Sequence, residues 1–181
     1  VSDIIRRQYE SFTPIAEQNG IHFTQSLPES LDWNTDPTCL KKILVNLISN
    51  AFKYTDEAGS IRISATIADE MLVISVYNTG KGISEADRKT IFDRYRILGD
   101  LDGNNYTQTT SRNGLGLFIC HSMVQSLNGT IEVKSEEGQF AEFIVRLPYP
   151  EVDEEEAAED KDDTALQIMP VSPSDEVAVP Q

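Results

Sequence analysis

Basic residues are scarce in this 181-residue chain: 15 Lys and Arg stand against 30 Asp and Glu, a formal net charge of −15. Nucleic-acid backbones are held by a basic face, so nucleic acid is excluded as a general partner. Cysteine is nearly absent as well. Cys39 and Cys120 are too few for a disulfide framework and lack metal-ligand spacing. Each lies in an apolar stretch of a predicted helix, where a free thiol packs as a small hydrophobe. No apolar run approaches the ~20 residues that a membrane span needs, and the first residues do not read as a signal peptide. These shortages predict a soluble domain in a reducing, cytoplasmic compartment with no direct membrane contact, although it can belong to a longer membrane-bound chain.

The deficit of bases is unevenly spread. Residues 151–181 carry eleven acids and one base, Lys161, which accounts for −10 of the charge and leaves −5 for residues 1–150. With Pro150 included, that stretch has four prolines and no aromatic residue. Such a segment cannot bury enough apolar surface to offset its ordering entropy. The expected organisation is one folded domain over 1–149 and an acidic segment over 150–181, either a solvated linker or tail or a piece that docks on a partner. At the other end, "VSDIIRRQYESF" reads as the middle of a helix, which predicts a further element before Val1.

What is present is a clear alternation of elements. Ile4, Ile5, Tyr9, Phe12 and Ile15 recur at helical spacing over 2–19, and Asn19-Gly20 ends that helix. "IHFTQS" (21–26) alternates as a strand. Asp36-Pro37 opens a helix that runs to about Tyr54, with Asp36 as cap. "SIRISATIA" (60–68) puts Ile61, Ile63, Ala65 and Ile67 on one strand face, and "MLVISVY" (71–77) pairs with it as a hairpin. Ser84 and Asp87 form a capping-box-like pair heading a helix to about Phe92. Residues 97–113 are polar and loop-like, long enough to be a functional lid or simply disordered. A helix over 114–127 and strands over 130–135 and 139–147 complete the domain. Helices and hairpin-linked strands in this order predict a two-layer α/β sandwich, a mixed sheet covered on one face by helices.

The helix from Asp36 carries two stripes. Leu40, Ile43, Leu44, Leu47, Ile48 and Ala51 face a core. Asn46, Asn50 and Lys53 share another face. Asparagine is a mediocre helix former, so two of them in mid-helix mark either a solvated face or a cleft for a phosphate–metal group. Mg²⁺ takes hard oxygen ligands and is commonly shared with phosphates. An amide oxygen suits it, and an ammonium can offset phosphate charge. Two glycine segments follow, "VYNTGKGI" (76–83) and "RNGLGLFI" (112–119). A lone Gly-x-Gly is usually only a turn. The second segment, however, directly precedes a helix, whose N-terminal amides attract phosphate, and Gly114 and Gly116 place no Cβ in the way.

Taken in order, "DPTCLKKILVNLISNAFKYT" (36–55), "NTGKGI" (78–83), "IFDRY" (91–95), "NGLGL" (113–117) and "GTIEVKSEEGQFAEFIVRLP" (129–148) resemble the catalytic ATP-binding domain of sensor histidine kinases, of the GHKL type. The resemblance spans residues 1–148. It implies a Bergerat-type fold that binds ATP with Mg²⁺. On matching positions, Asn50 would ligate Mg²⁺, Asn46 would sit beside the phosphates, Lys53 would reach the phosphate end and Tyr54 would pack near adenine. Asn78 would bond the adenine amine, Gly80 and Gly82 would shape the base pocket, and Ile83 would wall it. Gly114, Leu115 and Gly116 would offer amides to the phosphates. Residues 94–113 would be an ATP lid, and Arg94 or Arg96 would reach the γ-phosphate.

The resemblance also separates chemistries. ATP-hydrolysing relatives carry a glutamate where Asn46 stands, and a carboxylate can act as general base on water while an amide cannot. Phosphoryl transfer to a histidine is therefore expected over hydrolysis. A hydrolysing GHKL ATPase and a nucleotide-binding pseudokinase are the alternatives. Sensor kinases usually carry Asp where this chain has Asn78. A neutral amide accepts a weaker bond than a carboxylate, and its NH₂ can face the O6 of guanine, so weakened rejection of GTP is expected. His22 and His121 lack the acidic neighbour of a phosphoacceptor motif and are expected to be structural. The implied partners are phosphoacceptor and dimerisation helices lying before Val1 and, indirectly, a response regulator receiver domain. One place for the acidic segment is the linker to a receiver domain in a hybrid kinase.

Overall fold

The computed structural model describes residues 1–93 and 115–150. Its elements are α1 (Ser2–Gln18), β1 (His22–Ser26), α2 (Pro37–Tyr54), β2 (Ser60–Ala68), β3 (Met71–Thr79), α3 (Glu85–Arg88), α4 (Gly116–Ser126), β4 (Thr130–Glu136) and β5 (Phe140–Pro148). The strands form one sheet in the order β1-β2-β3-β5-β4. β1 runs parallel to β2 and every other pair is antiparallel, so the sheet is mixed, as predicted.

Alternation fixes which face is covered. In β3, Leu72, Ile74, Val76 and Asn78 are buried while Met71, Val73, Ser75 and Tyr77 are only half-buried. Ile61, Ile63 and Ala65 of β2 and Ala141, Phe143, Val145 and Leu147 of β5 line the same buried side. α2 lies against it through Leu40, Ile43, Leu44, Leu47 and Ile48, all fully buried. Each such side chain contributes roughly 1.5–3 kcal/mol of burial free energy. The opposite face is mixed: Ile144, Val73 and Tyr77 share it with Ser75, whose Oγ donates to Glu142 Oε1 at 2.6 Å, and with Arg146, paired to Glu132 at 2.9 Å. This is the expected two-layer arrangement.

α2 begins where its cap dictates. Asp36 accepts hydrogen bonds from the amides of Thr38 at 2.6 Å and Cys39 at 3.0 Å. Those two bonds, that of Cys39 foremost, hold the Asp36 carboxyl below its ordinary pKa of 3.8. A carboxyl depressed on folding contributes stability above its unfolded pKa and loses it as pH falls through the folded value. Asp36→Asn keeps a capping oxygen without the titration. The gap in thermal midpoint between wild type and this variant should therefore narrow as pH falls from about 6 to about 3, which scanning calorimetry reads directly.

Four expectations are corrected. α3 ends at Arg88, not near Phe92; Thr90 and Asp93 donate to carbonyls three residues back, those of Asp87 and Thr90. The Ser84–Asp87 cap forms as expected. Beyond it, the burial of Ile91 and the stacking of Phe92 on His121 accompany the turn. β3 extends two residues further than predicted, which brings Asn78 into the sheet between Ile61 and Ala141. Ile67 is 48% exposed rather than core-facing, because it lies by the Asp69–Glu70 hairpin turn, whose residues take positive φ. Cys39 is half-buried while Cys120 is fully so. Burial pushes the Cys120 thiol up to about 12, which keeps it protonated and inert at neutral pH.

Candidate functional site

The polar stripe of α2 is where the apolar stripe leaves off. Asn46 and Asn50 are half-buried and Lys53 is exposed. Asn46 spends its NH₂ on the carbonyl of Lys42, one turn back, at 2.9 Å. That leaves its Oδ1 on the side of α4: a Cβ built on Gly116 would lie 3.1 Å from it. The first residue of α4 can approach Asn46 this closely because it has no side chain. Leu115 caps α4 without any side-chain hydrogen bond, so the first-turn amides carry no cap from that residue, and the positive end of the helix dipole points the same way. Lys53 Nζ donates to the Tyr54 hydroxyl at 3.0 Å and stands 4.8 Å from the centre of its ring.

The "NTGKGI" segment sits at the end of β3. Asn78 is 2% exposed, and its Nδ2 donates to the Thr79 carbonyl at 3.0 Å. Gly80 adopts φ +135, and a Cβ there would fall 2.1 Å from the Tyr54 carbonyl oxygen. Gly82 has φ +60, with a Cβ position 2.0 Å from the carbonyl oxygen of Glu136. Backbone of this kind is open to glycine alone without strain. The loop is thus wedged between the end of α2 and the β4–β5 turn, and Ile83 is buried behind it.

Two segments far apart in sequence therefore meet the same helix: Gly116 at Asn46 and Gly80 at Tyr54. Gly82 and Ile83 engage the β4–β5 hairpin instead. Leu115 is half-buried at the head of α4. Arg94, Arg96 and Gly114, with the expected lid over 94–113, lie outside the described residues. His22 is exposed on the edge strand β1, and His121 is half-buried with its ring 5.5 Å from that of Phe92. Sequence reasoning missed Ser135, whose hydroxyl accepts from the Ile83 amide at 2.8 Å. Its only signal is a serine at an inward position of β4, where Ile131 and Val133 are apolar.

The donor set fits a nucleotide with a hard cation. It offers neutral amide oxygens, an ammonium and helix-terminal N–H groups. Among the described residues no group of three or more His, Cys, Asp or Glu could hold a metal. A divalent ion here depends on an amide oxygen and on oxygens that its ligand brings, a pattern that suits Mg²⁺ with a polyphosphate.

The sequence model of the family described as "Histidine kinase-, DNA gyrase B-, and HSP90-like ATPase" matches residues 35–151. The chain belongs to this family. Its relatives include sensor proteins and histidine kinases. Sensor protein SrrB of Staphylococcus aureus is 32% identical over 136 residues, which is 75% of this chain and 23% of SrrB. The chain thus spans about a quarter of the length of the curated relatives it matches. The catalytic domain of histidine kinase ThkA superposes with a TM-score of 0.68 at 28% identity, over 82% of this chain and 92% of that one. Full-length ShkA in complex with AMPPNP superposes at 0.69 with 29% identity, over 83% of this chain and 30% of that one. ThkA in complex with response regulator protein TrrA gives 0.67 at 26% identity, over 83% and 40% of the two chains. The chain is a histidine-kinase-type ATP-binding domain with the α/β sandwich of that ATPase family. No described helix is long and apolar enough to cross a membrane.

Proposed function

We propose that this domain, over residues 1–149, binds Mg-ATP between α2 and α4 and serves phosphoryl transfer to a histidine on phosphoacceptor helices of the same kinase, with residues 150–181 as an acidic linker. The observation that carries this reading is the convergence of Gly116 on Asn46 and of Gly80 on Tyr54. It brings an amide oxygen of α2 to the head of α4 and the glycine loop to the end of α2. Mg-ATP, when bound, supplies the γ-phosphoryl group for in-line displacement by an imidazole nitrogen.

The chain's own residues do the rest. Asn50 lends its oxygen to the metal. Asn46 stands beside the phosphates, and the backbone amides of Gly114, Leu115 and Gly116 receive them. Lys53 offsets their charge, and Arg94 or Arg96 completes that neutralisation at the γ end. Tyr54 and Ile83 bound the base, and Asn78 accepts from its amine. An amide at position 46 cannot take a proton from water, which favours transfer over hydrolysis. SrrB is a sensor protein and ThkA forms a complex with a response regulator. By that likeness the phosphoryl group passes onward to a receiver domain, and the domain works on the cytoplasmic side of a longer sensor chain.

The test supplies a separately made dimer of phosphoacceptor helices together with Mg-ATP. Acid-labile phosphate on the helices is the expected result. Steady phosphate release with no labelled helices would show a hydrolase instead.

Asn78 gives a second measurement. Its NH₂ is engaged by the Thr79 carbonyl, which leaves its oxygen to serve as a neutral acceptor. It should prefer the adenine amine over guanine O6, but with less repulsion of O6 than a carboxylate exerts. The ratio of GTP to ATP dissociation constants should rise about tenfold in Asn78→Asp, on the order of 1.4 kcal/mol. An unchanged ratio would show that this side chain does not read the base.

A further inference from the structure

The glycine loop is fastened to the β4–β5 hairpin by three bonds. The Gly80 amide donates to the Gln139 carbonyl at 3.0 Å, and the Gly138 amide donates to the Lys81 carbonyl at 2.7 Å. The third is the Ile83 amide on Ser135 Oγ. Only this last bond depends on a side chain. Ser135 in turn donates to the carbonyl of Phe140 on the paired strand, so both hydrogen-bonding roles of one hydroxyl are in use. It sits on the inward side of β4, where an apolar residue would pack equally well. A polar side chain there needs its partners, and those partners are the exit of the glycine loop and the start of β5.

We propose that Ser135 is a positioning residue for nucleotide-base recognition: its hydroxyl ties Ile83 to the β4–β5 hairpin and so holds the loop from Gly80 to Ile83 in the shape that receives the base. The inference rests on the nucleotide-binding reading above. Ser135 touches the base only through Ile83. Its removal leaves the Ile83 N–H without its acceptor, and the loop relaxes about Gly80 and Gly82, the two positions with the most conformational freedom.

The test compares Ser135→Thr with Ser135→Val in the full 181-residue chain. Thr and Val have nearly the same shape and both favour strands, so a loss in Val alone reports the hydroxyl. Titrations use Mg-ATP and adenosine, and hydrogen exchange is followed at the Ile83 amide. Val is expected to bind both ligands about tenfold more weakly, with Ile83 exchange accelerated and the thermal midpoint only a few degrees below that of Thr. Thr should match wild type within about twofold in every readout. Equal affinities for Val and Thr would overturn the inference, as would a loss for Mg-ATP with adenosine unchanged. A wild-type chain that binds neither ligand would sink the nucleotide-binding reading and the inference with it. Wild-type binding with an unaffected Val variant sinks the inference alone.

Discussion

Asn50→Ala is expected to weaken Mg-ATP binding by about a hundredfold and to erase the difference between titrations with and without Mg²⁺. Asn50 stands one turn beyond Asn46 on a helix whose other face is fixed in the core by Leu47, Ile48 and Ala51. The substitution leaves that packing untouched, and alanine is the better helix former, so the fold should be retained. What it removes is a hard oxygen in a cleft with no clustered carboxylates among the described residues. Even groups that only orient a metal ligand cost 10–100-fold when removed, and a ligand itself should cost at least the upper end of that range. Isothermal titration at fixed Mg²⁺ and with chelator checks it. An Asn50→Ala domain whose ATP affinity still depended on Mg²⁺ as in wild type would remove Asn50 from the metal site.

Gly80→Ala should disrupt both the fold and the candidate site. Its Cβ would fall 2.1 Å from the Tyr54 carbonyl oxygen and 3.2 Å from Thr55 Cα, at φ +135. These neighbours are backbone and cannot swing away. Either the end of α2 or the end of β3 must move, and both belong to the candidate site. Strain at such a φ alone costs about 1–3 kcal/mol, and the collision adds to it. For a domain of this size the thermal midpoint should drop by roughly 5–10 °C, with ATP affinity lost well before unfolding. Gly20→Ala is the control. Its φ is also positive, at +64, but a Cβ there meets nothing within 4 Å, so it should cost strain without displacing α2. Equal effects of the two substitutions on ATP affinity would show that contact with Tyr54 is irrelevant to the site.

Much of this architecture was legible in the residues. The 3-4 spacing from Leu40 to Ala51 and the Asp36-Pro37 start fixed α2, alternation marked β2, and the short link to the next apolar run marked the β2–β3 hairpin. Periodicity also set the amide stripe against the apolar one. What it could not give was distance. That Gly116 lies on Asn46 and Gly80 on Tyr54 depends on how α4 and β3 cross α2, which no local pattern encodes. The end of α3 was misread because Ile91 and Phe92 continue a helical spacing while the backbone leaves the helix after Arg88. A polar side chain following an apolar run resembles a strand end, so the strand is expected to stop at Tyr77, whereas it continues through Asn78 to Thr79. Ser135 was invisible for a related reason. A lone serine in a strand carries no signal until its partner on a distant loop is known.

The most direct measurement is a calorimetric titration of the chain with ATP, in Mg²⁺ and again in chelator. Saturable heat in Mg²⁺ that weakens sharply in chelator is the predicted result. No heat at millimolar Mg-ATP, or binding indifferent to the metal, would contradict a phosphate site between α2 and α4.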